Sequence, residues 1–403
     1  MKLTNRDDIT EHEKKNLIYL LTISSLYTLG LMMSNIFVNI FLWRQSNDIE
    51  LLALYNLSIY VTQVLIFIVA GKWVKRFDRV IILRLGIVLI SIFFVGLLTL
   101  GSDALYYYWL LGAVLGAGYG FYLLAFNVLT FEVTEPHTRD YFNSTMGTLQ
   151  SIGGMIGPLF AGYIITIFSG YKGYLTIFFL SFILFVLAII TSIFLERRRT
   201  SGQYYIQSAI RERKENPNWK ALLNAHFLQG IREGVFLFAV ALWVFMITDR
   251  EMVIGIYNFI YATASLCVYQ LINQFIKPSK RKNYVLFGTV ALYGAVIWVI
   301  FANTSFDLYI YGLLIGLAFP LFFAPFMSIS YDVIGKARNA KDYRVEYVVF
   351  KEIILNSGRV ISLILFWLGL QFFDDIEWLQ YSLLIFGLGY VLAMTQVRKI
   401  DSK

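Results

Sequence analysis

Stretches of about 20 apolar residues recur along almost the whole chain, separated by short charged blocks. A helix needs about 20 such residues to cross the hydrocarbon core of a bilayer. Only closed hydrogen bonding within helices or barrels is tolerated there, and runs this long suit helices. The runs fall near 17–43, 51–71, 80–100, 105–131, 141–168 and 174–195, then near 222–248, 252–276, 284–302, 308–331, 345–372 and 378–396. The third and fourth are divided only by Gly101, Ser102 and Asp103. The first, Leu17 to Trp43, exceeds a signal-peptide core and reads as a retained helix. The expectation is an all-α integral membrane fold with twelve transmembrane helices.

Composition and charge placement agree. Apolar residues make up 58% of the 403 residues and charged ones 15%, against about 25% charged in globular chains. The net charge of +8 would raise nucleic acid as a partner in a soluble protein. Here the cations sit between apolar runs, where membrane orientation explains them better. With both termini cytoplasmic, inside segments hold 27 of the 34 Lys and Arg residues, and outside loops hold Arg44, Lys172 and Arg250. That alternation predicts a multi-pass protein of a bacterial plasma membrane with both termini and the 196–221 loop inside. Within that loop Tyr204, Tyr205, Ile206 and Ile210 beside Arg211, Arg213 and Lys214 read either as a short amphipathic helix or as a solvated linker. One cysteine, Cys267, and three scattered histidines, His12, His137 and His226, offer no disulfide and no metal-ligand spacing. No span carries a Ser/His, paired-Asp or HExxH arrangement, and no Walker-type sequence is present. Neither enzyme activity nor a cofactor is expected.

The chain repeats itself at an offset of 200–202 residues. Gly112, Gly116 and Gly120 match Gly312, Gly316 and Pro320; Phe131-Glu132-Val133 matches Tyr331-Asp332-Val333. Asp140-Tyr141 matches Asp342-Tyr343, and Tyr55-Asn56 matches Tyr257-Asn258. Chance matches would scatter in offset. Two six-helix halves follow, 1–195 and 222–403, joined by a cytoplasmic linker 196–221. Parallel six-helix repeats place a substrate site between the halves near mid-membrane. Spans 6, 9 and 12 lack charge and span 3 has only Arg84, so these four suit lipid contact, whereas charged spans 7 and 11 must face protein or water.

In these features the chain resembles the major facilitator superfamily over essentially its full length. The resemblance implies helices 3, 6, 9 and 12 outermost and a basic loop between helices 2 and 3 that gates the inner face. The family's loop pattern, G-x3-D-R-x-G-R-K, is matched by Gly71, Arg76 and Arg79, with Lys75 replacing Asp and Asp78 replacing Gly. Span 5 is similar to the glycine motif of the antiporter branch, through Gly153-Gly-Met-Ile-Gly157-Pro158-Leu-Phe-Ala161-Gly162, with Ser144 where the motif's first Gly stands. That likeness implies efflux by exchange; close helix packing is the other use of such small residues. Gly230-Ile-Arg232-Glu233-Gly234 resembles the YqgE-like branch of bacterial transporters.

Charges deep in a span are functional candidates, because an unpaired one costs about 2.5–3.5 kcal/mol on insertion scales. Arg232 and Glu233 lie in span 7, with His226 on the face of Glu233; a structural ion pair locking that helix is the competing reading. Glu352, Asn356 and Arg359 share one face of span 11, where the first half has Gln150, Gly154 and Gly157. Glu346 and Lys351 read as loop-end charges. Glu233 and Glu352 are candidate proton carriers. Asn35, Asn39, Gln63 and Asn127 either line the path or bond helix to helix. Gly71, Arg76, Arg79, Gly157 and Pro158 are gating candidates, and Pro320 and Pro325 interrupt span 10. The expected function is secondary active transport of a small solute by alternating access, with protons as a candidate coupling ion, the bilayer as solvent and a monomer as the working unit. A membrane sensor or assembly factor on the same fold is the alternative.

Overall fold

A computed structural model describes residues 11–134, 136–168, 171–197, 203–275, 278–340 and 342–401. Lys2, Arg6, Arg198, Arg199, Lys277, Lys341 and Lys403, counted above among the inner cations, lie outside the described residues, and the side chains of His12, Phe131, His137, Asp140, Tyr141 and Ser144 are likewise not described. The elements in order are α1 (Glu11–Ser46), α2 (Ile49–Val74), α3 (Arg79–Leu100), α4 (Tyr108–Val133), α5 (Pro136–Phe168) and α6 (Tyr171–Ile193). After a short α7 (Ile206–Glu215) come α8 (Pro217–Thr248), α9 (Glu251–Phe275), α10 (Arg281–Ile300), α11 (Ser305–Lys336), α12 (Arg344–Gly369) and α13 (Asp375–Val397). Gly101–Tyr107 and Pro278–Lys280 form 3-10 turns. The fold is all-α among the described residues.

Ten segments are long and apolar enough to span a membrane. One of them, 79–130, contains both α3 and α4, and the ten do not include α12, which carries Arg344, Glu346, Lys351, Glu352 and Arg359. The ten hold eleven long helices, and α12 is the twelfth among the described residues. Several helices outrun their apolar core: α1 starts six residues before Leu17 and α11 ends five beyond Tyr331. Such overhang is the expected result when a helix crosses and then continues into the headgroup region.

The repeat governs packing in detail. A side chain at Gly116 on α4 would collide with the Ile59 carbonyl of α2, and one at Gly316 on α11 with the Tyr261 carbonyl of α9. Gly86 meets the Tyr122 backbone of α4, and Gly288 meets the Phe322 backbone of α11. Arg79 pairs with Glu132 at 2.7 Å, and Arg281 with Asp332 at 2.6 Å, each closing the base of an equivalent helix pair. The turns after α1 and α8 both use a left-handed residue, Asn47 (φ 50) and Asp249 (φ 46), types that tolerate this region best after glycine. Rows of exposed apolar side chains run along α3 (Ile81, Val88, Ile92), α6 (Phe179, Ile183, Leu187), α10 (Phe287, Val290, Ile297) and α13 (Tyr381, Ile385, Leu392). In a bilayer these rows face lipid.

Of its two expected forms, the linker takes the short amphipathic helix, α7, but this helix is not free at the surface. Ala209 and Glu212 are buried, and Trp219 Nε1 donates to the Ala209 carbonyl at 3.0 Å. The helix is thus docked on the base of the second half.

Candidate functional site

Both described chain ends, the end of α6 and the start of α8 lie at one end of the bundle, here called the basic end. Asn16 of α1 donates to Glu196 just after α6, and the Asp401 amide donates to Asn218 of α8. Two seams join the halves. Along α2 and α12, Glu50 accepts from Trp367 Nε1 at the far end (2.8 Å), Tyr60 lies under Arg359 at mid-span (5.2 Å to the ring centre), and Lys75 pairs with Glu346 at the basic end (2.5 Å). Along α5 and α9, a side chain at Gly162 would press on the Glu251 and Met252 backbone, and one at Gly255 on that of Pro158 and Leu159. Arg44 of α1 reaches Glu251 at 2.9 Å and Asp249 at 3.2 Å, and Tyr174 of α6 donates to Glu251 at 2.7 Å. The far end is therefore sealed by side chains from both halves.

At the basic end α4 and α5 stand apart from α11 and α12. A cavity of about 600 Å³ opens there, lined among others by Asn127, Thr130, Gln150, Tyr331, Arg344 and Lys351.

Above the cavity lies a polar cluster in the second half. Its geometry starts from glycines. Gly230 sits against the Leu355 carbonyl and Gly358 against the Phe227 carbonyl, so the backbones of α8 and α12 touch. Gly389 lets α13 approach Leu228 and Arg232. Glu233 then falls within 2.5 Å of Arg359 Nη2 and 3.2 Å of its Nε. Gln229 Nε2 donates to Glu233 at 2.7 Å and the Tyr390 hydroxyl donates at 3.2 Å. Gln229 Oε1 lies 2.9 Å from His226 Nδ1, and His226 Nε2 lies 3.0 Å from Ser330 Oγ, a residue of the cavity wall. Arg359 Nη1 donates to Asn356 at 3.0 Å. A fully hydrogen-bonded chain thus links the cavity to the charge pair.

The candidate residues separate in this structure. Glu233, Arg359 and Asn356 come together. Arg232 packs instead on two rings, its guanidinium carbon 4.0 Å from the Phe236 ring centre and 4.2 Å from that of Tyr390. Glu352 hydrogen-bonds to the cluster through its carbonyl, which accepts from Asn356; its carboxylate pairs with Lys351 at 2.8 Å. In the first half Asn39 accepts from Asn56 at 2.7 Å, and Asn35 accepts from the Tyr119 hydroxyl at 3.2 Å. Gln63 is buried in α2, and Asn127 lines the cavity. The repeat explains the asymmetry between halves. Glu233 and Arg359 stand where the first half has Met33 and Gly157, which pack directly on each other.

Among the gating candidates, Arg79 is buried against Glu132 of its own half, while Arg76 is exposed and has no ion pair among the described residues. The link between halves comes from Lys75, the position where the loop departs from its family pattern. Its ammonium also donates to the carbonyls of Gln203 and Asp342. Glu346 is fully buried and also accepts from the Tyr205 amide at 3.1 Å. Gly71 has no side chain because Tyr204 fills that space. Burial and the neighbouring Glu346 carboxylate push the Tyr204 hydroxyl far above its ordinary range. Gly157 packs on the Met32–Met33 backbone of α1, and Pro158 presents its carbonyl to Gly255 of α9. Sequence reasoning missed Lys75, Glu346, Tyr390, Arg44 and Glu251; their partners lie on other helices, and no local spacing announces them.

Comparison with known proteins agrees with this architecture. Residues 17–343 match the family model described as Major Facilitator Superfamily. The chain is 43% identical over 389 residues to the uncharacterized protein YqgE of Bacillus subtilis (strain 168), covering 96% of this chain and 90% of that protein. It is 49% identical over 205 residues to an uncharacterized protein in the sodM 3' region of Geobacillus stearothermophilus, covering 51% of this chain and 94% of that one. Among solved structures, an inward-facing bacterial homologue of the iron transporter ferroportin superposes with a TM-score of 0.69 at 15% identity, covering 97% of this chain and 98% of that one. The human organic anion transporter MFSD10 (TETRAN) superposes with a TM-score of 0.67 at 12% identity, covering 96% and 99%. With its two six-helix halves, its basic-end cavity and these relatives, the chain belongs to the major facilitator superfamily and has the fold of a multi-pass membrane transporter.

Proposed function

We propose that this protein is a secondary active transporter that carries a small solute by alternating access between its halves. The observation that carries the reading is the asymmetry of the two ends. Arg44, Glu251 and Tyr174 seal the far end, while a cavity of about 600 Å³ opens at the basic end, and hydrogen bonds from its wall residue Ser330 through His226 and Gln229 connect it to a buried charge pair. A transporter caught with one gate shut has this form. Rocking of the halves would break the contacts of Arg44 with Glu251 and close the cleft between α5 and α11. Glycines of α5 suit such motion, because Gly157 and Gly162 provide smooth contacts toward α1 and α9.

Proton coupling belongs to the same proposal. The charge of Glu233 strengthens its hold on Arg359, so proton uptake there would weaken the pair, a change both local and electrostatic. Glu352 is the weaker candidate because its carboxylate pairs with its chain neighbour Lys351, whereas Glu233 pairs with an arginine of another helix. The glycine motif of α5 favours exchange, and hence export, as the working mode.

The test is a pair of distances in full-length protein carrying Cys267→Ser. Gly147→Cys and Gly335→Cys report on the basic end, where a new side chain meets nothing within 4 Å at either site. Phe168→Cys and Arg250→Cys, both exposed, report on the far end. In lipid nanodiscs, spin-label distances at the two ends should change in opposite senses between mildly acidic and mildly alkaline buffer. Glu233→Gln should abolish that pH response. Distances that never change at either end would sink alternating access; a response that persists in Glu233→Gln would remove Glu233 from the coupling.

A further inference from the structure

Arg232 is 9% exposed, yet no carboxylate lies within ion-pair distance of it and no hydrogen-bond acceptor holds it among the described residues. Its contacts are two aromatic rings, Phe236 and Tyr390. Such contacts recover only part of the cost of taking a guanidinium out of water. Other deep charges in the chain are paired: Glu233 with Arg359, Glu352 with Lys351, Glu346 with Lys75. The mid-span cluster of Arg232, Glu233 and Arg359 therefore carries one positive charge in excess.

We propose that Arg232 is the docking point for an oxyanion of the transported solute, a carboxylate or a phosphate ester. Three features support this. Rings packed at 4.0 and 4.2 Å from the guanidinium carbon leave its N–H edge as the part free to bond, and that edge matches two oxygens of one oxyanion. Tyr390 couples the site to the charge pair, since its ring packs on Arg232 while its hydroxyl donates to Glu233. An anion arriving at Arg232 would therefore disturb the Tyr390–Glu233–Arg359 contact. Finally, among the described residues the basic-end cavity is lined by Arg344 and by no carboxylate, with Lys351 offset by its pair with Glu352, so its field favours anions on approach. The aromatic side chains Tyr257, Tyr261 and Tyr311, within electrostatic reach of Arg232, suit an apolar body attached to the anionic group.

This inference rests on the transporter reading but is tested separately from it, by binding to the purified full-length protein. Benzoate and phenyl phosphate are the anionic probes; benzyl alcohol and benzylamine are the neutral and cationic controls. Isothermal titration and thermal unfolding in detergent should show saturable binding of one or both anions and none of the controls. Preference between benzoate and phenyl phosphate identifies the oxyanion. Arg232→Gln should weaken binding by about tenfold or more, the loss expected for a charge-assisted hydrogen bond, and Arg232→Lys by less. Equal binding of benzyl alcohol and benzoate would overturn the site even if the variants fail to fold. Unchanged benzoate affinity in a folded Arg232→Gln would overturn it as well. Arg232-dependent binding without uptake of labelled benzoate into proteoliposomes would count against transport and leave the anion site standing.

Discussion

Lys75 and Glu346 form a charge pair with little access to water: Glu346 is 0% exposed and the Lys75 side chain 12%. Removing one partner of such a pair costs about 3–5 kcal/mol, because the other charge is left buried alone. In this fold the cost falls on one conformation only, the one in which the basic ends of α2 and α12 meet. Lys75→Glu should therefore part α2 from α12 at the basic end, and Glu346→Lys should do the same. The double variant Lys75→Glu with Glu346→Lys should restore contact. Spin labels on cysteines at Lys72 and Asp342 read the separation; no change in either single variant would remove Lys75 from the gate. Nothing near Lys75 in the chain predicts its partner, since 271 positions separate the two residues. The loop pattern drew attention to Arg76 and Arg79, and the departure from that pattern proved to be the residue that crosses between halves. By contrast Glu132 and Asp332 were visible through the repeat, which is why the Arg79 and Arg281 pairs at equivalent places come as no surprise.

Helix packing depends on backbone approach, since lipid provides no hydrophobic drive to hold helices together. Gly116 and Gly316 are the tightest points of the α2–α4 and α9–α11 pairs, each facing a carbonyl of the partner helix. Gly116→Leu should therefore lower stability by about 1–3 kcal/mol or more through overpacking. Gly294→Ala is the control, because a side chain there meets nothing within 4 Å. Thermal unfolding in detergent should separate the two by several degrees; an equal fall would refute the packing role. Elements were the most legible level of this molecule, because bilayer thickness fixes the length of each apolar run. Even α12, with its five charged residues, reads as an apolar run at 345–372. The ends were less legible. Polar residues at both ends of α1 and at the start of α5 extend the helices beyond the apolar runs, and hydropathy carries no signal for helix outside the hydrocarbon. The docking of α7 was hidden too, since an amphipathic segment is equally suited to a lipid surface and to the base of its own bundle.

Orientation is a property of the whole molecule, and the charge distribution makes a specific demand on it. Inner segments in the proposed topology hold 27 of 34 cationic residues, and cytoplasmic loops are where such an excess is retained. Both described chain ends, the linker with α7, and the starts of α3 and α10 all lie at the basic end. The basic end should therefore face the cytoplasm, with the 3-10 turn Gly101–Tyr107 and the turn after α12 outside. Tyr106 and Phe372 are 77% and 81% exposed at the far end, so cysteines there would be open to reagent. Lys214 and Lys280 are exposed at the basic end and serve as the opposite pair. The background must first be cleared by Cys267→Ser, because Cys267 is exposed on α9. In intact cells a membrane-impermeant maleimide should then label Tyr106→Cys and Phe372→Cys, and should label Lys214→Cys and Lys280→Cys only after lysis. Labelling of Lys280→Cys from outside would invert the molecule. The cavity now assigned to the cytoplasmic side would then open outward, and the shut gate of Arg44 and Glu251 would be the inner one. The direction in which the proposed anion enters would be reversed with it, although its docking at Arg232 would not.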